Sequence, residues 1–349
     1  MSDELNERSR KILEAIVEDY IDSAEPVGSG TVSRHRHMGL SPATVRNVMA
    51  DLEELGYIVS PHTSAGRVPT DKGYRFYVDT LLRVRPLSVM ERASLERHYR
   101  PQGLRLDDLL REAGKVLSTL SSYTGVVTAP RFCATVFRHI EFIPLSQGRL
   151  LVVFVSQSGL VQNKIIETET SFSASELEQI GNYLNRTLSG LTIEEIRARI
   201  VEEMAQEKAL YDQLMRQALT LSEQALSDDV GTQLFIEGTA KIFEQPEFAD
   251  IERMKRVFRA FEQKSQLVDL LDKSQRAEGV RIFIGSETHF AEMEGCSVVA
   301  ATYSDRQGTI GTLGVIGPSR MPYSLVIPIV DYTARLVGRF LEGESSKEN

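Results

Sequence analysis

Apolar residues recur three and four positions apart through most of the first hundred residues, the spacing of a helix with one buried face. Ile12, Leu13, Ile16, Val17, Tyr20 and Ile21 make the first such stripe. Asn6 can cap its start, and Glu25-Pro26-Val27-Gly28 breaks it. A short helix over residues 29–37 follows, then the turn Met38-Gly39-Leu40. Val45, Val48, Met49, Leu52 and Leu55 form the next stripe. Ser41 offers its cap, Pro42 suits the first helical position, and Gly56 ends it. Helix, short helix, tight turn, helix is a helix-turn-helix. The pattern then changes: 57–60 reads as a strand, 61–66 as a turn and 67–69 as the returning strand, together a small wing. Thr70 caps a further helix to about Leu82, burying Tyr74, Tyr77, Val78 and Leu81. A connecting helix near 89–99 leads to the rest of the chain.

Beyond it, a helix over 107–121 precedes strand-like runs at 125–130, 138–144, 150–156 and 160–167. From Ser173 to Ser227 the pattern is helical and charged, with capping boxes at Ser173/Glu176 and Thr192/Glu195. The second of these opens a long helix, 193–226, whose apolar face is of a kind found in any bundle. Helices are expected at 231–243 and 251–272, and strands at 280–284, 296–303 and 309–316. A final helix ends near Leu341, before a polar tail. Strands on both sides of a helical block point to an α/β sensor-like domain interrupted by an insertion.

The 349 residues suggest two or three domains, and 42% hydrophobic against 26% charged describes a soluble chain with real cores. The first ten residues do not read as a signal peptide, and no run approaches the roughly 18 apolar residues of a membrane span. Two cysteines, Cys133 and Cys296, form neither a disulfide framework nor a metal cluster, so a reduced cytoplasm is expected. The net charge of −9 argues at first against a nucleic-acid partner. Its distribution reverses that inference. Between Val27 and Arg85 there are 8 Lys and Arg against 5 acids, and from Pro101 onward 26 against 34. A basic reading head on an acidic body fits specific DNA binding that does not spread over all DNA.

On the face of the 42–55 helix away from its apolar stripe lie Thr44, Arg46, Asn47 and Ala50, side chains that can reach base edges or phosphates in a major groove. Asp51, Glu53 and Glu54 all fall in its later half, so the N-terminal half should face DNA. A bland reading pairs Arg46 with Glu53 or Asp51. Arg34, His35, Arg36 and His37 could clamp phosphate or simply be solvated; His35 and His37 lack a third metal ligand nearby. Lys72 and Arg75 could touch phosphate, whereas Tyr74 reads as core. Gly66 reads as hairpin backbone freedom, and Gly73 as a place where a side chain would obstruct close approach. No nucleophile motif or phosphate loop is present, and both cysteines read as small buried hydrophobes. The sequence therefore calls for no catalytic residue, metal or cofactor.

Three stretches carry a resemblance: Pro26-Val27-Gly28-Ser29, the run 43–56, and the run 62–79 containing Thr63-Ser64-Ala65-Gly66-Arg67 and Pro69-Thr70-Asp71-Lys72-Gly73-Tyr74-Arg75-Phe76. A fourth, Gly314 to Tyr323, lies near the other end. With these the chain closely resembles the heat-inducible transcription repressor family, HrcA, over essentially its whole length. The resemblance implies an α+β multidomain protein: an N-terminal winged helix-turn-helix, a GAF-like α/β domain, and an inserted, mostly helical dimerisation domain with a small sheet. Expected limits are 1–88 for the winged helix, 89–134 for a linker helix and first GAF-like part, 135–244 for the insertion, 245–343 for the second GAF-like part, and 344–349 for the tail. It implies a homodimer that binds double-stranded DNA at the CIRCE inverted repeat before groE and dnaK operons. GroEL/GroES chaperonin would promote repression, and heat would relieve it. The candidate DNA contacts are Arg34, Ser41, Thr44, Arg46, Asn47, His62, Thr63, Ser64, Arg67, Lys72 and Arg75. An alternative is a metabolite-responsive regulator with the GAF-like domain as receptor; a purely structural role for that domain is the favoured reading.

Overall fold

The first helix, α1 (Glu7–Ser23), begins where the Asn6 side chain accepts the Ser9 N–H at 2.9 Å, and it ends at Ala24, whose φ of 58° turns the chain away. Its predicted stripe is its buried stripe: Ile12, Leu13, Ile16 and Val17 are solvent-free. Against it pack α2 (Ser29–His35) and α3 (Pro42–Glu54). A two-stranded wing follows, β1 (Ile58–Val59) antiparallel to β2 (Val68–Pro69). Next, α4 (Asp71–Phe76) runs on into a single π-helical turn, Tyr77–Leu81. After residues 82–88, which form no regular element, comes α5 (Val89–His98). The computed structural model describes residues 5–35, 39–61, 66–98, 106–130, 136–146, 148–157, 161–168, 172–192, 195–196, 221, 233–276, 279–305 and 308–345.

The body starts with α6 (Leu106–Ser121) and β3 (Thr124–Thr128). An antiparallel meander interrupts it, β4 (Phe137–Ser146), β5 (Arg149–Ser156) and β6 (Val161–Glu167), covered by α7 (Ala174–Leu188). The chain re-enters the body as β7 (Leu234–Glu237), α8 (Thr239–Phe243), α9 (Ile251–Glu262), α10 (Lys264–Asp272), β8 (Val280–Ile284), β9 (Cys296–Asp305), β10 (Gly308–Pro318) and α11 (Tyr323–Ser345). The five-stranded sheet has the order β7-β3-β10-β9-β8, with every neighbouring pair antiparallel.

Alternate residues of this sheet serve two cores, as the two-residue period of a strand requires. Val127, Leu313, Val315, Val299 and Tyr303 share a core with α6, α11 and the winged helix. Val126, Ile316, Val298 and Ala300 share another with α9 and α10. Burial on both faces is why Val298-Val299-Ala300-Ala301 reads as an unbroken apolar run. The meander has its own core, built from Phe137, Ile140, Phe142, Val152 and Phe154 of its sheet and Leu177, Ile180 and Leu184 of α7. It leaves and rejoins the body at one point: β3 and β7 are adjacent, and the Ala129 N–H donates to the Gln233 carbonyl at 2.7 Å. The insertion is thus the loop of an enlarged hairpin, a connection that leaves the host sheet undisturbed.

Two expected elements differ. Residues 231–243 were to be one helix; instead Leu234–Glu237 is strand β7, and the helix is only Thr239–Phe243. The short apolar run Leu234-Phe235-Ile236 suits either period, and pairing with β3 decides it, Phe235 turning to one core and Leu234 to the other. This also returns the chain to the body before the expected limit at 244. The helix expected over 251–272 is two helices, broken at Gln263 (φ −83°, ψ 62°). Apart from Ile196 and Leu221, which join the meander's core, the long helix expected over 193–226 lies almost wholly outside the described residues. No helix among the described residues is long and apolar enough to cross a membrane.

Candidate nucleic-acid interface

Helix α3 is held at both ends by local chemistry. Ser41 sits in the extended region (φ −68°, ψ 151°), and its hydroxyl accepts the Thr44 N–H at 3.2 Å and meets the Thr44 hydroxyl at 3.0 Å. Pro42 occupies the first turn, where no N–H is needed. At the other end Gly56 adopts φ +76°; the Tyr57 N–H donates to the Leu52 carbonyl at 2.9 Å and the Gly56 N–H to the Glu53 carbonyl at 3.0 Å. That pair of bonds is a Schellman closure, which satisfies two carbonyls the helix leaves open. Val45, Val48, Met49 and Leu52 are buried beneath, so the exposed Arg46, Asn47 and Ala50 are presented on a fixed cylinder, with Thr44 half-exposed beside them.

The wing is pinned to α3 and to the segment before α2. Glu53 accepts the Arg67 Nε–H at 2.9 Å and the Ser60 N–H at 3.0 Å. Arg67 also exchanges both backbone hydrogen bonds with Val27, each at 2.9 Å, in an isolated antiparallel bridge. The bland pairing of Arg46 with Glu53 is therefore not formed: Glu53 is taken by Arg67, and Arg46 has no ion pair among the described residues. Arg46 and Arg67 share the walls of a cleft of about 260 Å³ with Val27, Gly28, Ser29, Met49 and Gly66. The cleft lies where α2, α3 and the root of the wing meet. The Arg67 charge on one wall is met by Glu53, so Arg46 is the cation on its walls without an ion pair among the described residues.

Two glycines show why this wing closes. A Cβ on Gly66 would lie 2.5 Å from the Val27 carbonyl carbon and 2.6 Å from the Pro26 oxygen. Gly66 is thus required by close backbone approach, where the sequence suggested conformational freedom. Gly73 answers to the predicted reason, since a Cβ there would lie 2.1 Å from the Tyr57 oxygen. It lets α4 press against the strand end.

The remaining candidate residues scatter. Arg34 is exposed on α2. His62, Thr63 and Ser64 lie outside the described residues, as do Arg36 and His37. Lys72 donates to the Leu55 carbonyl at 2.8 Å and lies 4.4 Å from the centre of the Tyr57 ring, so its charge serves the C-terminus of α3. Arg75, expected at phosphate, faces the body: its Nε donates to Glu287 Oε1 at 2.9 Å and Nη2 donates to the Ile282 carbonyl at 2.7 Å. Tyr74 is core, as predicted, at 3% exposure. What sequence reasoning missed is the use of the fourth resembling stretch. Tyr323 stacks obliquely on Tyr74 with ring centres 6.4 Å apart, and Arg320 donates to the Ile21 carbonyl at 2.8 Å. Two motifs from opposite ends of the chain meet at one junction, and their parallel distinctiveness was the available signal.

Elsewhere, burial pushes the Cys296 thiol up to about 12, which makes it inert near neutral pH. Among the described residues no three His, Cys, Asp or Glu side chains could hold a metal ion.

With this geometry in place, comparisons with known proteins agree on a family. Residues 4–80 match the description "Winged helix-turn-helix transcription repressor, HrcA DNA-binding", and residues 107–327 match "HrcA protein C terminal domain". The heat-inducible transcription repressor HrcA of Geobacter sulfurreducens is 58% identical over 341 residues, covering 98% of this chain and 99% of the relative. That of Syntrophobacter fumaroxidans is 41% identical, covering 98% and 99%, and that of Methylococcus capsulatus 44%, covering 97% and 96%. A crystal structure described as a hypothetical protein shares the fold, with a TM-score of 0.64 at 23% identity, covering 97% of this chain and 99% of that one. The three named relatives are heat-inducible transcription repressors. The chain belongs to the HrcA family of heat-inducible transcription repressors, and its winged helix is the family's DNA-binding domain.

Proposed function

We propose that this repressor binds, as a homodimer, an inverted-repeat operator of the CIRCE type in front of chaperone operons in the cytoplasm. GroEL/GroES promotes the active state, and heat stress removes it. The observation that carries the DNA reading is the α3 face: Arg46 and Asn47 are exposed on a helix whose two ends are capped. On this reading Ser41, Thr44, Arg46 and Asn47 meet the major groove, Arg34 meets phosphate, and the wing tip with His62, Thr63 and Ser64 lies along the backbone. Arg67 contributes from the cleft wall while holding Glu53 away from the phosphates.

We assign dimerisation to the insertion. On the side of its sheet away from α7, Ile143, Leu151 and Ile165 form one row across the three strands. Ile143 is 37% exposed and Ile165 50%, and Val161, in the next row but one, is 61% exposed. Between these apolar positions on the same face lie Glu141 and Asn163, so the face offers a second copy both apolar and polar contacts, and a two-fold operator requires a two-fold protein. The five-stranded sheet, by contrast, is packed on both faces. The fully buried Tyr303 lies under Gly311 and donates to the Thr128 carbonyl at 2.6 Å. That favours a structural role for the GAF-like part over a metabolite receptor.

The test is titration of the protein onto a duplex carrying the inverted repeat and onto a scrambled duplex, across a salt series, with and without GroEL/GroES. Preference for the repeat and a larger active fraction with chaperonin are expected. Equal binding to both duplexes, falling together with salt, would leave only the non-specific phosphate contribution and sink the reading.

A further inference from the structure

The head meets the body through α4, and the meeting is polar at its rim and aromatic at its centre. Glu287 is fixed first by its own chain, accepting the Ile284 N–H at 2.9 Å. It then receives Arg75 through two guanidinium nitrogens, Nε and Nη2, a fork-on-carboxylate geometry. The third nitrogen of Arg75 reaches Asp79 at 3.2 Å. One helical turn earlier, Asp71 accepts the Ser286 N–H at 2.9 Å. Gly285 makes room for this contact: it sits at φ +51°, and a Cβ there would lie 2.2 Å from the Asp71 carboxylate. Across the junction Arg320, ion-paired with Glu247, donates to the Ile21 carbonyl near the end of α1. Between these rims Tyr74 and Tyr323 are buried.

The covalent connection is neither helix nor strand, and within it Leu87 is buried while Arg85 pairs with Glu91. Residues 82–88 form no regular element, and Arg83, Val84, Arg85, Pro86 and Ser88 are exposed. Yet half-sites of an inverted repeat lie at a set spacing and angle, so two heads must be held at a set spacing and angle. We propose that Asp71, Arg75 and Glu287 form a clamp that fixes the orientation of the DNA-reading head on the body, and that Arg75 and Glu287 are positioning residues for operator binding without touching DNA. The effect on operator binding rests on the dimeric-repressor reading above; the clamp itself does not. Two half-site contacts made at once gain from a high effective concentration of the second head. That gain exists only while the heads point correctly. A loosened clamp therefore weakens the full repeat and spares the single half-site.

Glu287→Lys places a cation opposite Arg75, on the body side and away from any DNA contact; Glu287→Gln is the milder, near-isosteric variant. Spin labels at Glu54→Cys in the head and Glu262→Cys in the body, in a background with Cys133 and Cys296 replaced, give the head–body distance distribution without DNA. The expected result is a narrow distribution for the parent, a broad one for Glu287→Lys, and recovery on adding Arg75→Glu. In parallel, Glu287→Lys should lower affinity for the full repeat about tenfold or more and change half-site affinity by less than about twofold, with the charge-reversed pair restoring the full-repeat value. A distribution as narrow in Glu287→Lys and Glu287→Gln as in the parent would overturn the clamp. So would Arg75→Glu lowering half-site and full-repeat binding by the same factor, since Arg75 would then be a DNA contact. If the parent itself does not prefer the repeat, the repressor reading fails, and the distance distributions still decide the clamp.

Discussion

Helices α3 and α4 have similar beginnings and opposite uses. Each starts on a hydroxyl: Ser41 accepts the Thr44 N–H, and Thr70 accepts the Gly73 N–H, both at 3.2 Å. Each carries basic side chains. On α3, Arg46 projects from the surface without an ion pair among the described residues, while on α4, Lys72 reaches the end of α3 and Arg75 is engaged by Glu287. The charge of a helix therefore does not say whether that charge faces a ligand. Which face another part of the chain covers decides it. In α3 the apolar stripe packs into the head and the polar stripe is left outward; α4 lies between head and body, its Gly73 and Lys72 against the head and its Asp71, Tyr74 and Arg75 against the body.

The largest effect that would erase this contrast comes from Gly73→Ala. With a Cβ 2.1 Å from the Tyr57 carbonyl oxygen, far inside van der Waals contact, α4 cannot seat, and the head should lose about 3 kcal/mol or more. Thermal unfolding would show it, and both helices would fail together. Next comes Arg46→Ala, which removes an exposed side chain. It should cost about 1–3 kcal/mol in binding to the repeat and leave the melting temperature unchanged, measured by titration beside a melt. A comparable loss of melting temperature would mean that Arg46 is structural after all, and α3 would join α4. Smaller again are the caps. Ser41→Ala and Thr70→Ala should each destabilise the head by about 1 kcal/mol, read in denaturant midpoints. Only the second should also broaden the head–body distance distribution, because only α4 bears the clamp.

The subtlest expectation concerns pH. Burial pushes the Glu287 carboxyl up, but the Arg75 hydrogen bond, the Ile284 N–H and the Arg75 charge more than reverse it, so it titrates below the ordinary carboxylate value. A group whose folded value is depressed contributes its stability above the unfolded value, about 4.3, and loses it as pH falls through the folded one. The junction should accordingly hold unchanged from neutral pH to about 5 and loosen below about 4. Hydrogen exchange at the Ser286 amide, followed against pH, would report it. In Glu287→Gln this added acid sensitivity should be absent.

Much of the head was legible because its signals are local. Asn6, Ser41 and Thr70 mark helix starts through side chains acting on N–H groups three residues on, and Gly56 marks an end through its own φ. The body's strands were legible too, because a run such as Val298-Val299-Ala300-Ala301 is apolar on both faces wherever it lies. The misreadings share a cause. Leu234-Phe235-Ile236 became a strand only because β3 offers an unpaired edge. Gly66 is needed because Val27, 39 residues earlier, comes within touching distance. The acidic partners of Arg67 and Arg75, 14 and 212 residues away, were likewise invisible to spacing.

The sequence by itself thus determined most of the elements and the family, since caps, periods and a distinctive run depend on neighbours within about four residues. Only the tertiary structure decided which cations remain for DNA. That choice depends on which distant carboxylates the fold brings alongside each cation, and two motifs separated by more than 200 residues become one junction only when the chain has closed on itself.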